Sequence, residues 1–488
     1  WRHAFYASGL KPGDRAAMLL TNSIEAVIFD QAALAAGLIP VPLHAVDTPG
    51  SSAYILHDSG ARILVTSSRA RWNALHAAAG ETLPMLEQVV LLNELDDEVI
   101  DGVRISGVET WLARGNGTPS EALPPEPSPD DLAGLIYTSG TTGRPKGVML
   151  THANLVANVA QISDAVEITE SDIYPSLITQ PLLTVPRWHL PDQFSTLRTT
   201  WLMFSPPSCV LFRACSNVFI KSSSLNSRRV LKSSSTALSG LPRLDGGDSA
   251  VTAREALDET VLPVLDEDVG RKVRGLFGGR MKAILCGGAS LNQSVARYFC
   301  AMGVPLRQVY GLTETSPIVS LTRAEMNHPA CVGQPVAQTQ VRLGDRDELQ
   351  VKGPQVMQGY WNKPAETKHA FTEDGWFHTG DQADLSDGGR VRIKGRIKEI
   401  IVTSTGEKIA PVDLEFAIQE DPLFEQVFVC GENRPFISAV LVLQPDLWKA
   451  LCAEMELSAD DPQTLHDRSM LRYLVKRVRA AAKDFPSY

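Results

Sequence analysis

The residues from Tyr137 to Gly147 constrain this chain more than any other stretch. They read Tyr-Thr-Ser-Gly-Thr-Thr-Gly-Arg-Pro-Lys-Gly. Apolar Leu135 and Ile136 lead into them as the end of a buried strand would. The hydroxyls of Thr138, Ser139, Thr141 and Thr142 then alternate with Gly140 and Gly143. Glycine lets a backbone approach a bulky anion closely and adopt positive φ. Successive N–H groups and hydroxyls make a concave donor surface, to which Lys146 adds a mobile positive charge. That combination describes a phosphate cradle. It is not the common P-loop, because no Gly-Lys-Ser/Thr follows Gly140. A plain Gly/Thr surface turn is the competing reading, and so long a run of specified positions disfavours it.

At 488 residues the chain exceeds one ordinary core, so two or more domains are expected. The net charge of −10, with no basic stripe carrying interleaved aromatics, argues against a nucleic-acid partner. Seven scattered cysteines without a CxxC pair suit reduced thiols in the cytoplasm better than a disulfide framework or a zinc site. No apolar run reaches the ~18 residues of a membrane span. The best candidate, Ala32 to Leu43, is broken by Gly37, Pro40 and Pro42. The first residue is Trp1 rather than Met, so a preceding segment is expected.

Residues 1–130 alternate between strand and helix patterns. A strand is expected at Ala16–Leu20, a helix capped by Ser23 and stopped by Gly37, and a strand at Ile39–Leu43. A helix over Ser51–Ser59 and a strand over Ala61–Thr66 repeat the scheme. Such alternation predicts a parallel α/β sheet. The proline-rich stretch Arg114–Asp131 reads as a linker. Behind the cradle, a helix is expected over His152–Ile162.

From about Pro175 to Gly247 neither a helical nor a strand period fits. Ser222–Ser224 and Ser233–Ser235 stand there among Arg, Lys, Cys and Pro. Two readings remain open, a long disordered insertion or a shifted reading frame. The aromatic content, Trp188, Phe194, Trp201 and Phe204 among others, weighs against disorder.

The α/β pattern then returns. Ala253–Phe277 reads as helix and Met281–Leu285 as a strand ending in Cys286, Gly287, Gly288 and Ala289. A glycine pair at a strand's C-terminal end is where open α/β sheets bind ligands. A helix over 291–302 and a strand over Arg307–Tyr310 lead to Tyr310-Gly311-Leu312-Thr313-Glu314-Thr315. Tyr310 offers a flat face to a purine, Gly311 leaves room for a substrate, and Thr313 can bond a phosphate. Glu314 can hold Mg²⁺, which prefers carboxylate and phosphate oxygens. Glu348–Gly353 and Gln355–Tyr360 read as short strands. Asp381 can accept both hydroxyl protons of a ribose. The remaining C-terminal stretch reads as a small α+β unit, with a helix over Pro411–Gln419, strands over Gln426–Cys430 and Ser438–Leu443, and helices on both sides of Asp461.

Taken in order, Tyr137–Gly147, Gly287–Ala289, Tyr310–Thr315, Thr379–Asp381 and Gly395–Pro411 resemble the adenylate-forming superfamily: acyl-CoA synthetases, luciferases and peptide-synthetase adenylation domains. The wording of Gly395–Pro411 is most similar to bacterial long-chain fatty acyl-CoA synthetases. The resemblance covers all but residues 175–247. It implies an α/β fold, with a large N-terminal domain of stacked α/β sheets and a β subdomain over residues 1–396. A small mobile α+β domain would follow over residues 397–488. It implies ligation of a long-chain fatty acid to CoA through an acyl-adenylate, with ATP, Mg²⁺ and CoA as partners. Ligation of another acid or to another acceptor, or bare adenine-nucleotide binding, are the alternatives.

On that resemblance, Thr138, Ser139, Gly140, Thr141, Thr142, Gly143 and Lys146 hold the β,γ-phosphates. Gly287, Gly288 and Ala289 line the nucleotide site together with Gly311, and Tyr310 stacks on adenine. Thr313 touches the α-phosphate, and Glu314 with Thr138 places Mg²⁺. Asp381 and Arg396 hold the ribose, and Lys398 is the hinge between half-reactions. Fatty-acid use adds peripheral contact with the inner membrane to the cytoplasmic expectation. Two departures stand out. The family's acyl-pocket and gate residues fall where 175–247 is unreadable. The family also continues beyond Tyr488 to a lysine that meets the acyl-adenylate. Losing such a charge donor costs ~3–4 kcal/mol of transition-state stabilisation, so impaired catalysis is expected of the chain as given.

Overall fold

Ser23 caps the first long helix, Ile24–Ala35, by accepting from the Ala26 N–H at 3.2 Å. Thr48 does the same for Pro49–Ser59, which ends in left-handed Gly60 (φ 63°). The computed structural model in which these caps are seen describes residues 1–45, 47–80, 83–94, 97–119, 123–138, 144–166, 270–276, 280–288, 290–324, 327–483 and 485. Residues 175–247, most of the expected helix over Ala253–Phe277, the cradle residues Ser139, Gly140, Thr141, Thr142 and Gly143, and Ala289 lie outside the described residues.

The chain divides into two compact units. One comprises Trp1–Arg342, Gln350–His378 and Asp387–Val391, the other Leu343–Leu349, Thr379–Ser386 and Arg392–Tyr488.

In the first unit the opening strands are β1 (Arg15–Leu19), β2 (Ile39–Pro42), β3 (Ile63–Thr66), β4 (Gln88–Leu91), β5 (Asp97–Ile100) and β6 (Val103–Gly107). They form a sheet in the order β2-β1-β3-β4-β6-β5, parallel except for β5 against β6. Strand β3 shows why its first three residues are all apolar. Ile63 and Val65 pack on one face with Phe29 and Trp111. Leu64 packs on the other with Trp72 and Leu75. A strand covered on both faces has no polar side to encode.

The cradle's flanks are β7 (Leu132–Thr138) and β8 (Lys146–Thr151), an antiparallel pair. Next come β9 (Ile284–Cys286), β10 (Leu306–Gly311), β11 (Ile318–Leu321) and β12 (Gln334–Pro335), ordered β12-β11-β10-β9. Strands β13 (Gln340–Leu343) and β14 (Glu348–Lys352) precede β15 (Gly359–Tyr360), which adds to β8 to give the order β15-β8-β7. Two expected strands are shorter than their patterns suggest. Met281–Leu285 pairs only over Ile284–Cys286. Gln355–Tyr360 pairs only at its last two residues. Pro354 has no N–H, Val356 N–H turns back onto the Gly353 carbonyl at 3.2 Å, and the buried Gln355 amide donates to Thr339 at 2.7 Å. Side-chain bonding turns that segment before it can pair.

The second unit holds most of β16 (Phe377–Asp384) and all of β17 (Arg392–Arg396), β18 (Ile401–Val402), β19 (Lys408–Ile409), β20 (Phe424–Cys430) and β21 (Ser438–Leu443). Strands β13, β14, β16 and β17 lie side by side in that order. Helices Pro411–Gln419, Pro445–Glu454 and Arg468–Ala481 pack around Leu414, Ile418, Phe424, Leu451, Met470 and Leu474. The first helix and both later strands fall where their sequence pattern puts them.

Candidate active site

The register of β7 against β8 sets Thr138 opposite Lys146, so the two described ends of the cradle are paired. The strands on either side are held by local contacts. A Cβ on Gly147 would lie 2.9 Å from the Leu135 side chain and 3.0 Å from the Tyr137 ring. The Tyr137 hydroxyl donates to Asp58 at 2.6 Å. Burial, reinforced by that carboxylate, raises the Tyr137 pKa far above the ordinary phenol value, so the hydroxyl stays a donor.

Helix His152–Ala165 follows β8 directly and pins the rest of the site. Thr151 and Asn154 form a reciprocal capping box. The Asn154 amide also donates to the carbonyls of Pro354 at 2.7 Å and Val356 at 3.1 Å. One turn on, buried Asn158 donates to the Ile318 carbonyl at 2.8 Å and accepts from the Ile318 N–H at 3.1 Å. One helix face thus fixes the segment before Tyr360 and the strand after Glu314.

Between those anchors, Thr313–Thr315 forms a single 3₁₀ turn that carries Glu314. The Glu314 carbonyl accepts from Met357 N–H at 2.9 Å. The Tyr360 hydroxyl donates to Glu314 Oε1 at 2.9 Å. Lys146 Nζ sits 5.1 Å from the centroid of the Tyr360 ring. A cation over a phenol face is held by the ring quadrupole, worth ~0.5–1 kcal/mol at a partly exposed site. Lys146, Tyr360 and Glu314 are therefore one linked set beside Thr138.

The glycines of this site are explained by packing. A Cβ on Gly311 would lie 1.8 Å from the Pro317 carbonyl oxygen, and one on Gly287 2.3 Å from Val309 Cγ2. The expectation that Gly311 leaves room for a substrate meets a main-chain carbonyl there instead. Gly288 has φ 81°, a conformation that side chains disfavour.

The AMP-binding enzyme family matches residues 3–361. The chain belongs to that family. Its C-terminal domain matches residues 398–483. Among curated relatives, the long-chain-fatty-acid–CoA ligase FadD15 of Mycobacterium bovis is 29% identical over 464 residues, spanning 90% of this chain and 75% of that protein. The peroxisomal long-chain acyl-CoA synthetase 6 of Arabidopsis thaliana is 28% identical over 501 residues, spanning 94% and 68%. The crystal structure of ATP-bound MatB from Rhodopseudomonas palustris has the same fold, with a TM-score of 0.61 and 24% identity, covering 91% of this chain and 81% of that one.

Within this AMP-binding enzyme Tyr310 lies near the end of β10 in the first unit, while Asp381, Arg396 and Lys398 lie in the second. Asp381 and Arg396 are register partners on β16 and β17, joined by an ion pair of 2.9 Å from Arg396 Nε to Asp381 Oδ1. The Asp381 side chain is 5% exposed and that of Arg396 51%. A buried carboxylate held by an exposed guanidinium leaves the arginine's remaining donors available to a ligand. Lys398 is exposed in the turn directly after β17. Tyr360 is the residue that sequence reasoning missed. Its sequence context reads as the end of a plain strand, and its one signal is an aromatic with a polar tip following a glycine.

Proposed function

We propose that this AMP-binding enzyme joins a long-chain fatty acid to CoA through an acyl-adenylate, releasing AMP and pyrophosphate. The observation that carries the reading is the linked set Lys146–Tyr360–Glu314 at the mouth of the Thr138–Lys146 hairpin. It provides one fixed cation and one fixed carboxylate where a nucleoside triphosphate and its counter-ion need them. The names of the ligase relatives support the choice of acid and acceptor.

The donor set fits magnesium, since the Glu314 carboxylate and the Thr138 hydroxyl are hard oxygen ligands. The ion would neutralise phosphate charge, which is the main catalytic need in attack on an α-phosphate. Lys146 places the β,γ-phosphates together with Ser139–Gly143, and Tyr360 keeps the Glu314 carboxylate aimed. Thr313 takes the α-phosphate, Tyr310 the adenine face, and Asp381 with Arg396 the ribose hydroxyls. Lys398 is the hinge residue at the start of the smaller domain, residues 397–488.

The test is ATP–pyrophosphate exchange with palmitate and benzoate as competing acids, followed by transfer to CoA. Exchange with palmitate and formation of palmitoyl-CoA is the expected result. Exchange confined to benzoate, or nucleotide binding without exchange, would overturn the reading.

A further inference from the structure

Outside the nucleotide site, the first unit brings a histidine, a cysteine and an aspartate together from two separate segments. One ligand atom from each of His328, Cys331 and Asp387 lies within 4.8 Å of the others. We propose that these three residues bind a borderline-soft divalent cation of the zinc type.

The donors match that class of ion. Thiolate, imidazole and carboxylate together suit zinc, whereas magnesium and calcium take oxygen alone. Tetrahedral zinc holds sulfur at ~2.3 Å and oxygen at ~2.0 Å, which puts S and O about 3.5 Å apart. Cys331 Sγ lies 3.6 Å from Asp387 Oδ2. The two carboxylate oxygens already have separate tasks. Oδ1 accepts from Arg390 Nη2 at 2.9 Å, which orients the group as an outer partner orients a ligand. Oδ2 faces the thiol.

The same geometry argues against a cysteine nucleophile. The residue is 1% exposed, whereas an activated thiol is reachable. A bare ion has a route in, because the Asp387 side chain is 30% exposed. The His328 ring is oriented by the Ala330 N–H, which donates to Nδ1 at 3.2 Å. Binding releases the thiol proton and exchanges contacts within this cluster for bonds to the ion.

The frame is held without an ion. The Val332 N–H donates to the Val391 carbonyl and the Val391 N–H to the Gly333 carbonyl, each at 2.8 Å. Gln308 donates to the carbonyls of Pro329 at 2.7 Å and Cys331 at 3.2 Å. The ligands are therefore pre-positioned, and their side chains can be changed while this backbone frame stays. Cysteine spacing gave no hint of the site, because Cys331 and Asp387 are 56 residues apart in sequence.

Cobalt(II) titration of the purified full chain is the test, read by thiolate-to-cobalt charge-transfer absorption and by competition with zinc. The expected result is one equivalent bound with a thiolate band. Cys331→Ser should abolish the band, and Asp387→Asn should weaken binding about tenfold or more. No band in the parent protein, or a band unchanged in Cys331→Ser, would overturn the proposal. If Cys331→Ser does not fold, Asp387→Asn decides by the same readout, and unchanged affinity there counts against the site. Neither outcome depends on whether the chain is a fatty-acid ligase.

Discussion

The Tyr360 hydroxyl donates to Glu314 Oε1 at 2.9 Å, while Lys146 Nζ lies 5.1 Å from the centre of the same ring. One side chain thus joins the cation of the cradle to the carboxylate of the Tyr310–Thr315 motif. A hydrogen bond to a charged group is worth ~1.5–3 kcal/mol. Tyr360→Phe keeps the ring and loses the bond, so exchange at limiting magnesium should fall about tenfold. Tyr360→Leu removes both and should fall further. A magnesium dependence identical in Tyr360→Phe and the parent would show that the bond does not aim Glu314.

Gly311 and Gly380 should respond differently to alanine. The added Cβ at Gly311 meets the Pro317 carbonyl at 1.8 Å, whereas Gly380 has open space but a φ of 72°. Backbone must move at Gly311, at a cost of ~3 kcal/mol or more. At Gly380 only the left-handed conformation is penalised, by ~1–2 kcal/mol. Urea unfolding of the two variants reads the difference, and equal losses would contradict the packing account.

Asn158→Leu fills nearly the same volume but strands both the N–H and the carbonyl of Ile318. Each buried unpaired group costs ~1–3 kcal/mol. A drop of about 2–4 kcal/mol is expected, with exchange activity lost along with it, because the strand after Glu314 is no longer anchored. Calorimetry together with exchange assays separates this from a purely local effect.

In the second unit, Arg477 grips Asp421 with two bonds of 2.6 Å. Burial pushes the Asp421 pKa up, but the Arg477 bonds and the Leu423 N–H outweigh it, leaving the pKa below the ordinary value. A depressed carboxylate stabilises the fold above its unfolded pKa, and the contribution is lost as pH falls through the folded value. Asp421→Asn should therefore lower the melting temperature at pH 7 by an amount equivalent to ~1 kcal/mol, discounted for the part-exposed arginine. The gap between parent and variant should begin to shrink as pH falls below about 4, the ordinary carboxylate value, and vanish only below the depressed folded value. A gap independent of pH would rule out the ion pair as its source.

Much of the fold was legible because the signals are local. Ser23 caps its helix as expected and the helix after Thr151 starts where its sequence places it, whereas the helix expected from Ser51 starts two residues earlier, at Pro49, capped by Thr48. Buried strands such as β3 announce themselves by a short apolar run, here Ile63–Val65. Glu314 and Lys146 are named by their motifs, but their placement around one tyrosine ring depends on packing. The pattern of Gln355–Tyr360 reads as a longer strand than the structure has, because the hydrogen bonds of Gln355 with Thr339 and Gln161 come from far along the chain.

The sequence by itself determined the α/β alternation of the first residues, the strand leading into the cradle and the kinds of group in its motifs. These depend on neighbours within a few residues, where caps, glycines and apolar periods act. Only the tertiary structure decided that Tyr360 links Lys146 to Glu314, that Gly311 yields to a carbonyl rather than a substrate, and that Cys331 faces Asp387. Each of those is a contact between distant segments, and it is set by packing of whole elements rather than by any local preference.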